Sequence, residues 1–150
     1  MTAKIPDLWP AELSERVLTP AAILKAQATI LGERTKGVLE AEVSSRPEQT
    51  KEGQLVTVYD FDVIAPALNG YRKTILRVEH GKDIIYPVYI KSLGPGIPQA
   101  ANDQKFLEVL GSHLQSQPVM SLIQTLIARS NEAQKQVQGE QSESPTPSTG

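Results

Sequence analysis

Gln54-Leu55-Val56-Thr57-Val58-Tyr59-Asp60-Phe61-Asp62-Val63-Ile64-Ala65-Pro66 is the stretch that decides the fold. Its β-branched and aromatic residues recur with the two-residue period of a strand. Leu55, Tyr59, Phe61, Val63 and Ala65 fall on one side, and Val58, Asp60, Asp62 and Ile64 on the other. The first side suits a core, whereas the second mixes charge with apolar groups. That contrast predicts a sheet covered on one face only.

Three further stretches show the same period. Val38–Ser45 sets Leu39, Ala41 and Val43 against Glu40, Glu42 and Ser44. Tyr71–His80 sets Leu76 and Val78 against Lys73, Ile75, Arg77 and Glu79. Ile84–Lys91 sets Ile84, Tyr86, Val88 and Ile90 against Ile85, Pro87, Tyr89 and Lys91. Pro87 has no N–H for a ladder and marks that strand as an edge. Asn69-Gly70 is the strongest hairpin signal, and a two-residue turn there would place Asp62 opposite Arg77 and Ile64 opposite Ile75. His80-Gly81-Lys82 suits a short loop, and Ser45–Gly53 a longer polar loop around Pro47. Short links between successive strands predict an antiparallel meander.

Helices flank the strands. Thr19-Pro20, a capping hydroxyl followed by proline, opens a helix that runs to Arg34 before Gly37. Ile23, Leu24, Ala28, Ile30 and Leu31 lie on its core side with Gln27 among them, a buried amide that needs partners. After the irregular Leu93–Pro98 crossing, a helix over Asn102–Ser116 turns Phe106, Leu107, Leu110, His113 and Leu114 inward. Another from Pro118 carries Val119, Leu122, Ile123, Leu126 and Ile127. The predicted architecture is α+β: a four-stranded antiparallel meander with one N-terminal and two C-terminal helices on one face. Residues 1–18 form an arm, with a helical turn or two after Pro10 and Trp9 pinning it to the domain. Residues 19–137 are the domain. Residues 138–150 are a disordered polar tail, because nothing after Val137 is apolar.

Composition narrows the function classes. In 150 residues, 39% are hydrophobic and 21% charged, as in ordinary globular domains, and the net charge is −2. No global field draws the protein to nucleic acid or anionic lipid. The absence of cysteine excludes disulfides, zinc–thiolate sites and thiol nucleophiles. Met1–Pro6 has no apolar run behind Lys4 and is not read as a signal peptide. Val119–Ala128 is far shorter than the ~20 residues that span a bilayer, so no membrane association is expected and the cytoplasm is the default location.

The open sheet face is the candidate site. Glu40, Glu42, Asp60 and Asp62 make one half acidic, while Tyr71, Lys73, Arg77, Tyr89 and Lys91 make the other basic. Val56, Val58, Ile64, Ile75 and Ile85 interrupt the charge with apolar contacts, which suits a docking surface. Weak cross-strand ion pairs on a solvated face are the bland alternative. Asp60 and Asp62 point the same way and, with Glu40 and Glu42, are weak candidates for a divalent metal and an enzyme built on it. The basic half mixes aromatics with cations, as single-strand nucleic-acid binders do. His80 and His113 have no nucleophile at a diagnostic spacing, and Gly94-Pro95-Gly96 lacks the lysine of a phosphate loop.

The run Ile23-Leu24-x-x-Gln27-Ala28-x-x-Leu31-Gly32-Glu33-x-Thr35-x-Gly37 leads into Glu40-Ala41-Glu42-Val43. With Ala65-Pro66-x-Leu68 and Tyr86-Pro87-Val88, it resembles a family of short uncharacterised bacterial proteins. That resemblance implies a bacterial or phage origin and one compact domain, and supplies no activity. The expected function is a non-catalytic interaction module, of immunity, adaptor or accessory type, docking another protein or a second copy through the open sheet face. No cofactor is expected. Single-stranded nucleic-acid binding and a metal-dependent activity on Asp60 and Asp62 rank below it.

Overall fold

The computed structural model describes residues 4–11 and 17–142, with side chains as far as residue 136. Helix α1 (Pro20–Arg34) starts where Thr19 Oγ1 accepts the Ala22 N–H at 3.2 Å. It stops at Thr35, whose hydroxyl donates to the Leu31 carbonyl at 2.9 Å and accepts the Leu39 N–H at 3.1 Å. Gly37, at φ +79°, turns the chain into the sheet. The strands are β1 (Glu40–Gln49), β2 (Leu55–Ala65), β3 (Tyr71–Gly81), β4 (Val88–Ser92) and β5 (Gln99–Ala100). They are ordered β1-β2-β3-β4-β5, every pair antiparallel. Helix α2 (Asp103–Leu114) is capped by Asn102 Oδ1 on the Lys105 N–H at 2.8 Å, and α3 spans Gln117–Ser142.

One core joins the sheet to the helices. Phe61, Val63, Ala65, Leu76, Val78, Val88 and Ile90 meet Ile23, Leu24, Phe106, Val109, Leu110, Val119 and Leu126. The α+β class, three helices and antiparallel sheet agree with the sequence, but the sheet has five strands rather than four. The fifth is two residues long, too short to show a period. It forms because Leu93–Pro98 brings the chain back beside β4, with Ile90 N–H bonded to the Pro98 carbonyl at 2.8 Å.

β1 runs on through Pro47 to Gln49, where a loop was expected. β1 lies at the sheet's edge, the position where a missing N–H is tolerated. Pro87 does not mark an edge: the Tyr86–Pro87 bond is cis, the strand begins after it, and β5 covers it. β3 includes His80 and Gly81 rather than turning there.

The largest correction concerns register. Ala65 pairs with Tyr71, so the β2–β3 connection has five residues: a 3-10 turn over Pro66–Leu68, then Asn69 and Gly70 at positive φ. The pairing then shifts between Phe61↔Leu76 and Asp62↔Thr74, leaving Ile75 as an extra residue in β3. Such a bulge reverses which side chains face which way. Ile75 therefore enters the core at 2% exposure, and Arg77 sits opposite Asp60, not Asp62.

At the termini, helix α3 continues through residues 138–142, which were expected in the tail; residues 143–150 lie outside the described residues. The helical turn expected after Pro10 has its first residue, Ala11, in 3-10 conformation, and residues 12–16, where it would continue, lie outside the described residues. Trp9 does not pin the arm: it is exposed. Among the described residues no helix is long and apolar enough to cross a membrane.

Candidate functional site

The open sheet face is laced with cross-strand ion pairs. Asp60 accepts from Arg77 Nε at 2.9 Å and from Arg46 Nη1. Arg72 reaches Glu42 at 2.5 Å and Asp62 at 3.6 Å, and the Thr74 hydroxyl donates to Asp62 at 2.5 Å. These contacts follow from register: Asp60 pairs with Ser44 and Arg77, and Asp62 with Glu42 and Thr74. Burial alone would raise the Asp60 pKa, but hydrogen bonds from Arg46 and Arg77, with their charges, outweigh it and hold the carboxyl below the usual range. The same carboxylate holds the Arg46 pKa up.

This arrangement bears on two features read from the sequence. The acidic carboxylates Glu42, Asp60 and Asp62 are engaged by arginines, and among the described residues no group of three or more such side chains is placed to hold a metal. The basic half is divided by the bulge. Tyr71 and Lys73 pair with Ala65 and Val63, which places them on the helix side, while Arg77, Tyr89 and Lys91 stay on the open face. The expected apolar row is dismantled as well. Ile75 lies in the core, Val58 is 1% exposed between Arg46 and Glu79, and Val56 and Ile64 are half-buried. Ile85 lies outside the strands, in the connection before β4. Glu40 keeps its place opposite Ile64 and is exposed.

The histidines are structural anchors. Among groups 21 residues apart, His113 Nδ1 lies 2.6 Å from Ser92 Oγ, while its Nε2 lies 2.8 Å from the Ile97 carbonyl. Since a carbonyl only accepts, Nε2 carries the proton there. A Cβ on Gly96 would sit 2.5 Å from the His113 ring, so only glycine lets the crossing segment close over it. The pair thus locks Leu93–Pro98 against α2. His80 is similarly held, between the Gly81 carbonyl at 2.8 Å and the Tyr59 hydroxyl at 3.2 Å.

The unsatisfied apolar surface lies on the other side, among the helices. A groove of about 570 Å³ opens between α1, α2 and α3, with Phe61 and Ile75 of the sheet at its base. Leu107, Leu114, Met120, Ile123 and Ile30 line it. Leu107 is 38% exposed and Met120 37%, although Leu107 was expected inside. Gln27 is half-buried and lines this groove, a polar group in an apolar wall rather than a fully buried one. Arg34 lines it too. Among the described residues, neither the Gln27 amide nor the Arg34 guanidinium has a hydrogen-bond or ion-pair partner.

A signal for the groove exists in the sequence. Phe106, Leu107, Val109, Leu110, His113 and Leu114 span an arc wider than the ~100° stripe that one packing contact consumes. The helix turns Val109 inward and leaves Leu107 and Leu114 at the margin. No family model, curated protein or solved structure matches the chain.

Proposed function

We propose that the chain is a non-catalytic protein-interaction module whose docking surface is the groove between the three helices. The observation that carries this is the exposure of Ile30, Leu107 and Met120 around an apolar depression in the size range of binding sites. The open sheet face fits docking less well, because its carboxylates and arginines already satisfy one another. Leucine, isoleucine and methionine side chains on three helices suit a helix-in-groove mode, and methionine adapts to irregular contacts. Arg34 on the wall favours an amphipathic helix with acidic residues beside its apolar anchors.

A labelled helical peptide with leucines at i, i+3, i+4 and i+7 and flanking glutamates tests this by fluorescence anisotropy. It should bind the full chain, and Met120→Lys should abolish that binding. A peptide that does not bind, or binds Met120→Lys equally well, removes the reading.

A further inference from the structure

We infer that two copies of the chain pair edge to edge through their β1 strands, joining two sheets into one continuous antiparallel sheet across a two-fold axis. This edge is distinct from the groove and from the open face, and the inference stands without the docking reading. β1 ends the sheet order, so one side of it has no neighbouring strand. The Thr50 N–H donates to the Gln54 carbonyl at 2.8 Å, and β1 keeps a single register with β2 throughout. Bonds to one neighbour alternate along an antiparallel strand, so Glu40, Glu42, Ser44, Arg46 and Glu48 turn their backbone groups toward β2. Ala41, Val43, Ser45 and Pro47 turn theirs outward. Among the described residues nothing takes the N–H of Ala41, Val43 or Ser45.

Native edge strands carry devices that deter pairing, and on β1 they stop short. From Glu40 to Arg46 the strand has no proline, no lysine and no bulge. One register suits this edge, with Val43 opposite the second copy's Val43. The outward groups of Val43, and those of Ala41 with Ser45, then exchange bonds across the axis. Pro47 falls opposite the second copy's Leu39, whose N–H is already taken by the Thr35 hydroxyl at 3.1 Å. Neither residue has a donor to offer, so the ladder closes there without an orphaned N–H.

Charge selects the same register. On the open-face side it sets Glu40 opposite the second copy's Arg46, and by symmetry Arg46 opposite the second copy's Glu40. Glu40 has no ion-pair partner among the described residues. Arg46, engaged by Asp60 and Glu48, still has N–H donors to give. Sliding to the next bonding register one way sets Glu42 against Glu42. Sliding the other way sets Glu40 against Glu48, and Pro47 against Ala41, whose carbonyl would find no donor. On the helix side the seam is apolar, because Val43 is half-buried against the core in each chain and meets its own counterpart. A net charge of −2 puts little repulsion between the copies.

Sedimentation equilibrium of the full chain over a wide dilution series reads the pairing and should show a monomer–dimer equilibrium. Ser45→Pro removes an outward N–H and leaves every bond to β2 in place. Circular dichroism should therefore stay native while the dimer dissociation constant rises at least about tenfold. Glu40→Arg, at an exposed position, sets like charges opposite each other and should weaken the dimer, more at low salt than at high. It keeps the test valid if Ser45→Pro misfolds. The chain has no cysteine, so a single introduced thiol reports the register. Ser44→Cys places two thiols about 8 Å apart across the axis, within reach of a short bismaleimide. Crosslinked dimer should form from Ser44→Cys and not from Lys91→Cys, at the far side of the same face. A chain that is monomeric throughout overturns the inference, as an edge that takes some other strand would. So does a dimer that both Ser45→Pro and Glu40→Arg leave unchanged, and so does equal crosslinking from the two thiols.

Discussion

On the open face of the sheet, Asp60 lies between two guanidinium groups; across the sheet, Leu107 and Met120 stand half in water above Ile75. Both regions place uneven chemistry at a surface, and only one resolves it internally. Charges spaced at the strand period find counter-charges by register, because β1, β2 and β3 lie side by side. Apolar margins of three separate helices have no comparable rule. Each helix satisfies its central stripe against the sheet, and the margins meet across a gap. Mixed surface composition alone therefore does not say which face is left unsatisfied.

Ile75→Asp separates the two regions most sharply. With Ile75 in the core, an unpaired buried carboxylate should cost at least about 3 kcal/mol and unfold the domain or nearly so, read by urea denaturation. A stable variant would return Ile75 to the open face and restore an apolar row there.

Asp60→Asn should cost about 1 kcal/mol, since it weakens two charge-assisted bonds to half-exposed arginines. Its signature is pH dependence. Asp60 is held below the ordinary carboxylate range when folded, so its contribution is complete above the unfolded pKa, near 4. It fades as pH falls through the depressed folded value. Asp60→Asn should lose less stability than the native chain over that acid window.

The alternation around Phe61, the capping residues Thr19 and Asn102, and the centres of the helix stripes were legible in the sequence, because they depend on local spacing, whereas Ile30 and Leu107 were expected inside and stand at the margins. The bulge at Ile75 was not. It depends on a five-residue connection and on cross-strand packing, and the Asn69-Gly70 signal is the same for a shorter turn. One unpaired residue moved Ile75 into the core and took Lys73 off the open face. Gln27 was legible as an anomaly, and the groove gives that anomaly a place. β5 was illegible because only the path of Leu93–Pro98 creates it.

Tyr86 offers a smaller effect at the arm's base. Burial first, and the Asp103 charge second, push its phenol up to about 12. Unfolded tyrosine ionises near 10, so native stability should hold below that pH and fall as pH rises toward about 12. Tyr86→Phe should remove that alkaline loss and cost about 1 kcal/mol or less at neutral pH for the bond to Leu18. The smallest effect belongs to Lys91→Ala on the open face, within about 0.5 kcal/mol.

Docking at the helical groove, and not at the open face of the sheet, is the proposed function. It is tested most directly by the affinity of the labelled amphipathic peptide for two charge variants, Met120→Lys in the groove and Tyr89→Lys on the open sheet face. Met120→Lys should abolish binding while Tyr89→Lys leaves it unchanged. Loss of binding in Tyr89→Lys, with Met120→Lys behaving as the native chain, would contradict it.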